Sequence, residues 1–261
     1  MLYFLSFPSG IRAEGRPLYF SGGAKGTRNF PFSYPDKEQI STFAETAKMN
    51  ILVIAATPIE ISPFLEQLRN GAITQQPDVL ITGIGLTATT WSLTRQLLIK
   101  KPDLVIQAGV GGCFDRSIAT GTVMAIKQEA IADQSVIELN ALKTLFDLNL
   151  VPQNQFPFTK GWMVNKNEVL KKVKLKKVRG ISVNEITTDP KKVKFYEKQF
   201  SPVVESMEGA ALHYVCLMEK VPFIQIRAVS NYIAERNKKN WNMKASINNL
   251  NTELIRLLDQ L

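Results

Sequence analysis

The sequence is poor in the residues that build several common kinds of site. Its 261 residues include two cysteines and one histidine, and no apolar run is long enough to cross a membrane. One histidine excludes metal sites built on several histidines. It also confines Ser-His catalysis to His213, which lies in an apolar helical segment where we expect a structural role. Cys113 and Cys216 are too far apart in sequence to form a metal-ligand pattern. We therefore expect no metal, no membrane partner, and a cytoplasmic protein stabilised by its apolar core.

Charge is unevenly distributed along the chain, whose formal net charge is +9. Much of the excess lies in the lysine-rich segment 166–179, which could bind nucleic acid. No aromatic residues are interleaved in this segment for stacking on bases, so we interpret it as a solvated surface and expect no nucleic-acid partner. A basic surface would also attract a small acidic substrate.

The chain divides into two parts by composition. Residues 1–48 are rich in glycine and proline and show no sustained helix or strand period, which predicts an irregular or disordered extension. After Met49 the pattern changes to a buried strand, and we expect the fold to start there without needing the extension. Residues 49–261 are enough for a single domain with a sizeable core.

Within residues 49–261, strand patterns alternate with helical patterns. The first three predicted strands lie at residues 51–56, 78–82 and 104–106. This alternation predicts an α/β fold of three layers, α/β/α, with a central mixed, largely parallel sheet flanked by helices. We also predict that Thr57 caps the first helix, with Pro58 in its first turn, and that residues 139–148 are helical.

Chemically active groups follow the ends of four predicted strands. They are Glu60, the glycine turn Gly109-Val110-Gly111-Gly112, Glu208 and Ser230-Asn231. In an open α/β sheet, ligands bind at the carboxyl ends of the strands. The glycine turn lacks the Lys-Ser/Thr of a phosphate-binding loop and the helix start of a dinucleotide fingerprint, so it is a tight turn or a ligand cradle. Glu208 alone would be interpreted as a first-turn glutamate that complements a helix dipole.

The order and setting of these four groups resemble the nucleoside phosphorylase/nucleosidase superfamily over residues 49–261. By motif the chain is most similar to the hydrolytic branch, the methylthioadenosine/S-adenosylhomocysteine nucleosidases and the futalosine hydrolases. The resemblance implies that Glu60 activates water as a catalytic base, that Glu208 binds the ribose hydroxyls, and that Met207 packs on the ribose. It also implies a homodimer or higher homo-oligomer, and a reaction that needs no metal and no organic cofactor.

The purine site of this family is matched with one departure. Ser230-Asn231 corresponds to the family's Ser-Asp element, with asparagine in place of aspartate. Aspartate can protonate purine N7 and accept from a 6-amino group, whereas the asparagine NH₂ donates to N7 or to a 6-oxo group. We therefore expect Asn231 to bind hypoxanthine or guanine rather than adenine. The expected substrate-binding residues are Gly109, Val110, Gly111, Ile186, Thr187, Met207 and Ser230.

The resemblance thus implies hydrolysis of the N-ribosidic bond of a purine nucleoside. Futalosine, which releases hypoxanthine in menaquinone biosynthesis, is the favoured substrate, because the loop from Ser230 to Arg236 with Trp241 resembles that of futalosine hydrolases. Arg236 or a lysine could pair with the benzoate carboxylate of futalosine.

Three alternatives stay open within the same fold. A methylthioadenosine/S-adenosylhomocysteine nucleosidase differs by its substrate, and Asn231 counts against it. A phosphorylase is disfavoured because the glycine turn contains no arginine to hold phosphate. A non-catalytic nucleoside-binding protein would have no need for Glu60.

Overall fold

In the part of the chain that the computed structural model describes, residues 49–235 and 237–261, a nine-stranded mixed sheet forms the central layer. The predicted extension at residues 1–48 lies outside the described residues. In chain order, the strands are β1 (Ile51–Ala55), β2 (Asp78–Ile81), β3 (Leu104–Cys113), β4 (Val123–Ile131), β5 (Ser135–Glu138), β6 (Ala141–Thr144), β7 (Phe158–Thr159), β8 (Trp162–Val164), β9 (Lys177–Ser182), β10 (Val204–Ser206) and β11 (Phe223–Tyr232). The helices are α1 (Ser62–Arg69), α2 (Leu86–Ile99), α3 (Glu168–Lys172), α4 (Pro190–Phe200), α5 (Gly209–Met218) and α6 (Met243–Leu258), with a 3₁₀ turn at Lys238–Asn240.

The strand order brings the predicted site elements together in the middle of the sheet. The order is β2-β1-β3-β10-β9-β4-β8-β7, and β11 pairs with both β3 and β4. Strand β3 is parallel to β1 and β11 and antiparallel to β10. Because β1, β3 and β11 run in the same direction, their carboxyl ends meet at one edge of the sheet, where a ligand would bind.

Residues of β1 alternate between two apolar cores. Ile51, Val53 and Ala55 pack on one face of the sheet with residues of α1 and α6. Leu52 and Ile54 pack on the other face with residues of α2 and α5. Successive side chains of a strand point to opposite faces, so helices cover both faces of the sheet. The predicted α/β fold with helices flanking a central, mixed sheet is therefore confirmed.

The first helix begins later than predicted. It starts at Ser62, with Pro63 in its first turn, and Thr57 does not cap it. Both the backbone nitrogen and the hydroxyl of Thr57 donate to the Glu60 carboxylate instead, at 3.0 and 3.1 Å. Glu60 therefore lies in the turn between β1 and α1, and this turn fixes its side chain.

The predicted glycine turn is wrong, because β3 continues through the glycines to Cys113. The glycines instead allow neighbouring groups to approach the strand closely. A Cβ atom added to Gly111 would lie 2.8 Å from the Glu205 carbonyl oxygen and from a Val204 methyl group. Strand β11 also runs further than predicted, so Ser230 and Asn231 lie within it, at a register shift, and not beyond its end.

Residues 139–148 are not helical. They contain the end of a hairpin between β5 and β6, in which Leu139 and Asn140 form the turn with φ values of 50° and 59°. Left-handed backbone at both central positions is typical of two-residue hairpin turns, and asparagine favours it. No helix within residues 49–235 and 237–261 combines the length and the apolarity needed to cross a membrane.

Candidate active site

A cavity of about 340 Å³ opens at the edge of the sheet where β1, β3 and β11 end. Residues of β3, β10 and β11 form its floor, and the segment between β1 and α1 forms part of its side. Its wall comprises Ala56, Thr57, Glu60, Ile84, Val110, Gly111, Gly112, Ile186, Glu205, Ser206, Met207, Glu208, Ser230, Asn231, Ile233, Ala234, Glu235, Trp241 and Met243. Most of the predicted site residues are therefore brought together around one space.

Glu60 is held by three hydrogen bonds from the protein. Its Oε2 accepts from the nitrogen and the hydroxyl of Thr57, and its Oε1 accepts from the Val110 nitrogen at 3.1 Å. A carboxylate offers about four lone-pair sites, so these bonds leave one free, on Oε1. Asn251 donates to the Glu60 carbonyl oxygen at 2.9 Å and so holds the backbone as well. The carboxylate is thus fixed, with one acceptor position left beside β3.

Glu208 does not act as a helix cap, although it occupies the N-cap position of α5. Its Oε1 accepts from the Gly85 nitrogen at 3.1 Å, and its Oε2 lies 3.4 Å from Nη1 of Arg227. Gly85 has a φ of 91°, a left-handed conformation that suits glycine and that presents its N–H to Glu208. The side chain of Glu208 therefore bonds across the cavity floor and not to its own helix.

Arg227 is a site residue that the sequence analysis missed. It lies within β11, is 1% exposed, and bonds to Glu208, to the Val110 carbonyl and, at 3.0 Å, to Oε1 of Gln107. An arginine between apolar strand residues is the signal that could have found it, because arginine is almost never buried without a partner. Its charge compensates the buried Glu208 carboxylate.

Gly109 creates the space in which the arginine lies. A Cβ atom there would collide with Nη1 of Arg227 and would lie 3.1 Å from Oε1 of Glu60. The guanidinium group of Arg227 and Oε1 of Glu60 therefore both lie beside Gly109. Gly109 itself is not part of the cavity wall that the described residues form.

Ser230 and Asn231 form a bonded pair at the other end of the floor. The Ser230 hydroxyl lies 2.8 Å from Oδ1 of Asn231, and Nδ2 of Asn231 donates to the Tyr232 carbonyl at 3.0 Å. A carbonyl oxygen only accepts, so the amide nitrogen must be the atom that faces Tyr232. One of its two N–H groups remains available to a ligand in the cavity.

The remaining predicted substrate-binding residues, Ile186 and Thr187 for the base and Met207 for the ribose, are placed differently from one another. Ile186 and Met207 line the cavity, whereas Thr187 is 6% exposed and is not part of the wall. The Thr187 hydroxyl accepts from the Asp189 nitrogen at 3.1 Å, next to the N-cap of α4. Arg236, proposed as a partner for a substrate carboxylate, lies outside the described residues.

Two further buried glutamates lie at or near the cavity. Glu205 of β10 lines it, and burial raises the pKa of its carboxyl to about 7, assisted by the negative charge of Asp133. Glu129 of β4 lies deeper, where burial likewise raises its pKa to about 7, against the hydrogen bonds from Gln225 and Ser182. Neither was singled out from the sequence, because both occur in segments that resemble ordinary strands.

His213 takes no part in this site. Its side chain is fully buried in α5, and its Nδ1 lies 2.9 Å from the Met163 carbonyl. Burial lowers the pKa of the imidazole to about 4, so the ring is neutral at physiological pH. Within the described residues, no group of three or more histidine, cysteine or acidic side chains could hold a metal ion.

A strand edge that carries two fixed carboxylates and an amide around one cavity defines a polar site for a small molecule. The model of the phosphorylase superfamily matches residues 50–261, and the chain belongs to this superfamily. The resemblance recognised in the sequence is thereby confirmed.

Curated relatives of the chain are hydrolytic nucleosidases. A futalosine hydrolase of Thermus thermophilus is 25% identical over 182 residues, which cover 69% of this chain and 80% of the relative. A 5′-methylthioadenosine/S-adenosylhomocysteine nucleosidase of Shewanella loihica is 30% identical over 166 residues, covering 59% of this chain and 68% of the relative. Sequence similarity therefore does not separate the two activities.

Solved structures give the same picture of the fold. The native futalosine hydrolase of Helicobacter pylori superimposes with a TM-score of 0.68 at 18% identity, covering 83% of this chain and all of that one. A methylthioadenosine/S-adenosylhomocysteine nucleosidase of the same organism, bound to a nucleoside analogue, also gives 0.68 at 18% identity, covering 82% of this chain and 99% of that one. At this identity the likeness establishes the fold.

Proposed function

We propose that the protein hydrolyses the N-ribosidic bond of a purine nucleoside with a 6-oxo base, and that the substrate is futalosine. The observation that carries the hydrolytic part is the Glu60 carboxylate. Three protein donors hold it, one acceptor position is left on Oε1, and the residue lines the cavity. This is the arrangement expected of a group that orients one water molecule and takes a proton from it.

Hydrolysis is favoured over phosphorolysis by the charges around the cavity. The wall built by the described residues contains no arginine or lysine, and four of its members, Glu60, Glu205, Glu208 and Glu235, are glutamates. Phosphate sites rely on bidentate arginine or on lysine, so an inorganic phosphate would be poorly held here. Arg116, the nearest arginine after the glycines in sequence, stacks on the Tyr232 ring.

In the proposed reaction, water attacks the anomeric carbon as the bond to purine N9 breaks. The bonding electron pair leaves with the purine, which departs as an anion hydrogen-bonded to Asn231 and takes a proton from solvent. Glu60 accepts a proton from the attacking water and later releases it to solvent. The sugar passes through an oxocarbenium-like state, which the negative charge of Glu208 stabilises while its oxygens accept from the ribose hydroxyls. Met207 packs on the ribose, and Asn231 donates to the leaving purine at N7 or O6, held in place by Ser230.

A second candidate, methylthioadenosine/S-adenosylhomocysteine nucleosidase, is supported by the named relatives of that activity.

An assay of purine release decides between the two candidate functions. Futalosine, inosine, methylthioadenosine and S-adenosylhomocysteine would each be incubated with the protein, without phosphate and then with it. Hypoxanthine from futalosine without phosphate is the expected result. Adenine from methylthioadenosine would support the second candidate, and release that requires phosphate would contradict hydrolysis.

Assembly into homodimers stays a prediction of the resemblance. Size-exclusion chromatography with light scattering tests it directly, and a monomeric mass with full activity would contradict it.

A further inference from the structure

Glu205 lies opposite Asn231 on the floor of the cavity. In the β10–β3 pairing Glu205 faces Gly112, and in the β11–β3 pairing Asn231 faces the same glycine from the other side. Neighbouring strands are about 4.8 Å apart, so the two Cα atoms are separated by roughly two strand spacings. Residues paired at one register position project on the same face, and both line the cavity. A Cβ atom on this glycine would lie 2.6 Å from Cδ1 of Ile233 and 3.5 Å from Nδ2 of Asn231, so the absence of a side chain lets both groups approach β3.

The carboxyl group of Glu205 has no hydrogen-bonding partner among the described residues. Its Oε2 is buried without one, and the residue is 6% exposed. Buried polar groups in folded proteins are almost always bonded, and leaving one unbonded costs stability. Lys192 is the nearby positive charge, but its Nζ bonds to Glu185 at 2.8 Å. The carboxyl group is therefore left to bond something that enters the cavity.

We propose that Glu205 selects the base by accepting the N1–H of a 6-oxopurine, while Asn231 donates to its N7 or O6 from the opposite side. This inference rests on the proposed function, since it identifies which purine the same site holds. The polar edge of a 6-oxopurine presents one donor, N1–H, and two acceptors, O6 and N7. The two residues present the complementary groups: an acceptor at Glu205 and a donor at Asn231.

Adenine does not fit this pair of residues. Its N1 is an acceptor and its 6-position a donor, so at pH 8, where Glu205 is ionised and where binding should be measured, the carboxylate would place a lone pair against N1. Adenine keeps the N7 acceptor for Asn231 but replaces the O6 acceptor by a donor, so the mismatch at Glu205 carries most of the discrimination. Mismatched polar groups in a closed site discriminate strongly, because each buried group is left unbonded.

The experiment is calorimetric binding of free bases to the full-length protein. Hypoxanthine, 1-methylhypoxanthine and adenine would be compared, because the methyl group removes the N1–H while keeping O6 and N7. We expect hypoxanthine to bind at least about tenfold more tightly than either of the other two. Equal binding of hypoxanthine and 1-methylhypoxanthine, or tighter binding of adenine, would overturn the inference without reference to any variant.

The variant Glu205→Gln tests the residue itself. Glutamine has nearly the same shape, so the protein should fold. Its carbonyl oxygen can still accept the N1–H, but its NH₂ can also donate to adenine N1, so the preference for hypoxanthine over adenine should fall about tenfold. Glu66→Gln, the same change at an exposed position of α1, is the matched control and should bind like the wild type. An unchanged hypoxanthine-to-adenine ratio in Glu205→Gln would refute the role of Glu205.

Failure of this inference and failure of the proposed function are distinguishable. Base binding needs no turnover, so a protein that binds hypoxanthine as expected but releases no purine from any nucleoside would keep the inference and lose the hydrolysis. A protein that hydrolyses futalosine but binds 1-methylhypoxanthine as tightly as hypoxanthine would support the proposed hydrolysis and contradict the role of Glu205.

Discussion

The two ends of the cavity differ in how completely their polar groups are bonded in the protein itself. At the Glu60 end, formed by Glu60, Glu208 and Arg227, each carboxylate has at least two partners. At the Asn231 end, formed by Asn231, Ser230 and Glu205, the Glu205 Oε2 has no partner within the described chain and Asn231 retains an unused N–H. The ends are two residues apart along β3, at Val110 and Gly112.

This difference separates two physical tasks. Groups that stabilise developing charge work best when they are fixed in advance, because no reorganisation is then needed during the reaction. Groups that choose between ligands work by being left unsatisfied when the wrong ligand enters. The groups at the Glu60 end are fixed in advance, as stabilisation of charge requires, and the groups at the Asn231 end are left unbonded, as selection of a ligand requires. Substitutions at the two ends should therefore affect different measured quantities.

The largest effect is expected at the Glu60 end from Glu60→Gln. The amide keeps the shape of the side chain but cannot accept a proton from water, so kcat should fall about 10²–10⁴-fold. Hypoxanthine affinity should stay close to that of the wild type, because the base binds at the Asn231 end. Purine release and calorimetry measure the two quantities, with Glu66→Gln as the control. Turnover at the wild-type rate would show that Glu60 is not the base.

Arg227→Met should affect the Glu60 end by lowering the stability of the folded protein. It leaves Glu208 buried without its positive partner, which typically costs about 3–5 kcal/mol of unfolding free energy. Urea unfolding measures this loss. The double variant Arg227→Met/Glu208→Gln should recover part of it, because the unpaired charge is gone. Additive losses in the double variant would mean that the pair is not coupled.

The pH dependence of stability should report the burial of the Glu205 carboxyl group. Burial raises its pKa from 4.5 to about 7, so between these values the folded protein holds a proton that the unfolded chain releases. Unfolding free energy then decreases as pH rises through this range, by about 1.4 kcal/mol per pH unit for each such proton. Relative to the wild type, Glu205→Gln should gain stability between pH 4.5 and 7, with no further gain above.

Comparison of variants at each pH is needed because other groups contribute. Glu129 acts in the same direction as Glu205, since burial also raises its pKa to about 7. His213 acts in the opposite direction between about pH 4 and 6.5, because burial lowers its pKa to about 4. Glu129→Gln should reproduce the pH-dependent gain without changing hypoxanthine binding. A Glu205→Gln curve parallel to that of the wild type would contradict the shifted pKa.

The sequence predicted the Glu60 end and the Asn231 end only in part, and for a physical reason. Glu60 and Glu208 follow apolar strands, and Asn231 lies in the last residues of one, so periodicity locates all three near the edge of the sheet. Arg227 and Glu205 lie inside strands, and their environment depends on which strand is next to them in the sheet. Periodicity along one strand does not contain that information.

Two of the errors in the predicted elements have the same origin. Gly109 and its neighbours were assigned to a turn because glycines commonly end strands, but the side chains of Arg227 and Val204 need the space that glycines leave in β3. Thr57 is predicted to cap a helix, but its backbone N–H and its hydroxyl donate to the Glu60 carboxylate. In each case a tertiary contact outweighed a local preference. The helix at 139–148 failed for a local reason, a hairpin turn at Leu139 and Asn140.

The smallest effect, about tenfold, is expected from Asn231→Asp. The Ser230 hydroxyl can still donate to Oδ1, but the Tyr232 carbonyl, which accepts from Nδ2 at 3.0 Å, would face an oxygen. That contact favours a protonated aspartate, which could give its proton to N7 and accept from a 6-amino group, so relative activity should shift toward adenine nucleosides. The ratio of kcat/KM for inosine and adenosine measures the shift, with Asn248→Asp on the exposed side of α6 as the control. If Asn231→Asp left this ratio unchanged while Glu205→Gln altered it, selection of the base would belong to Glu205 alone, and Asn231 would serve only to hold the purine as it leaves.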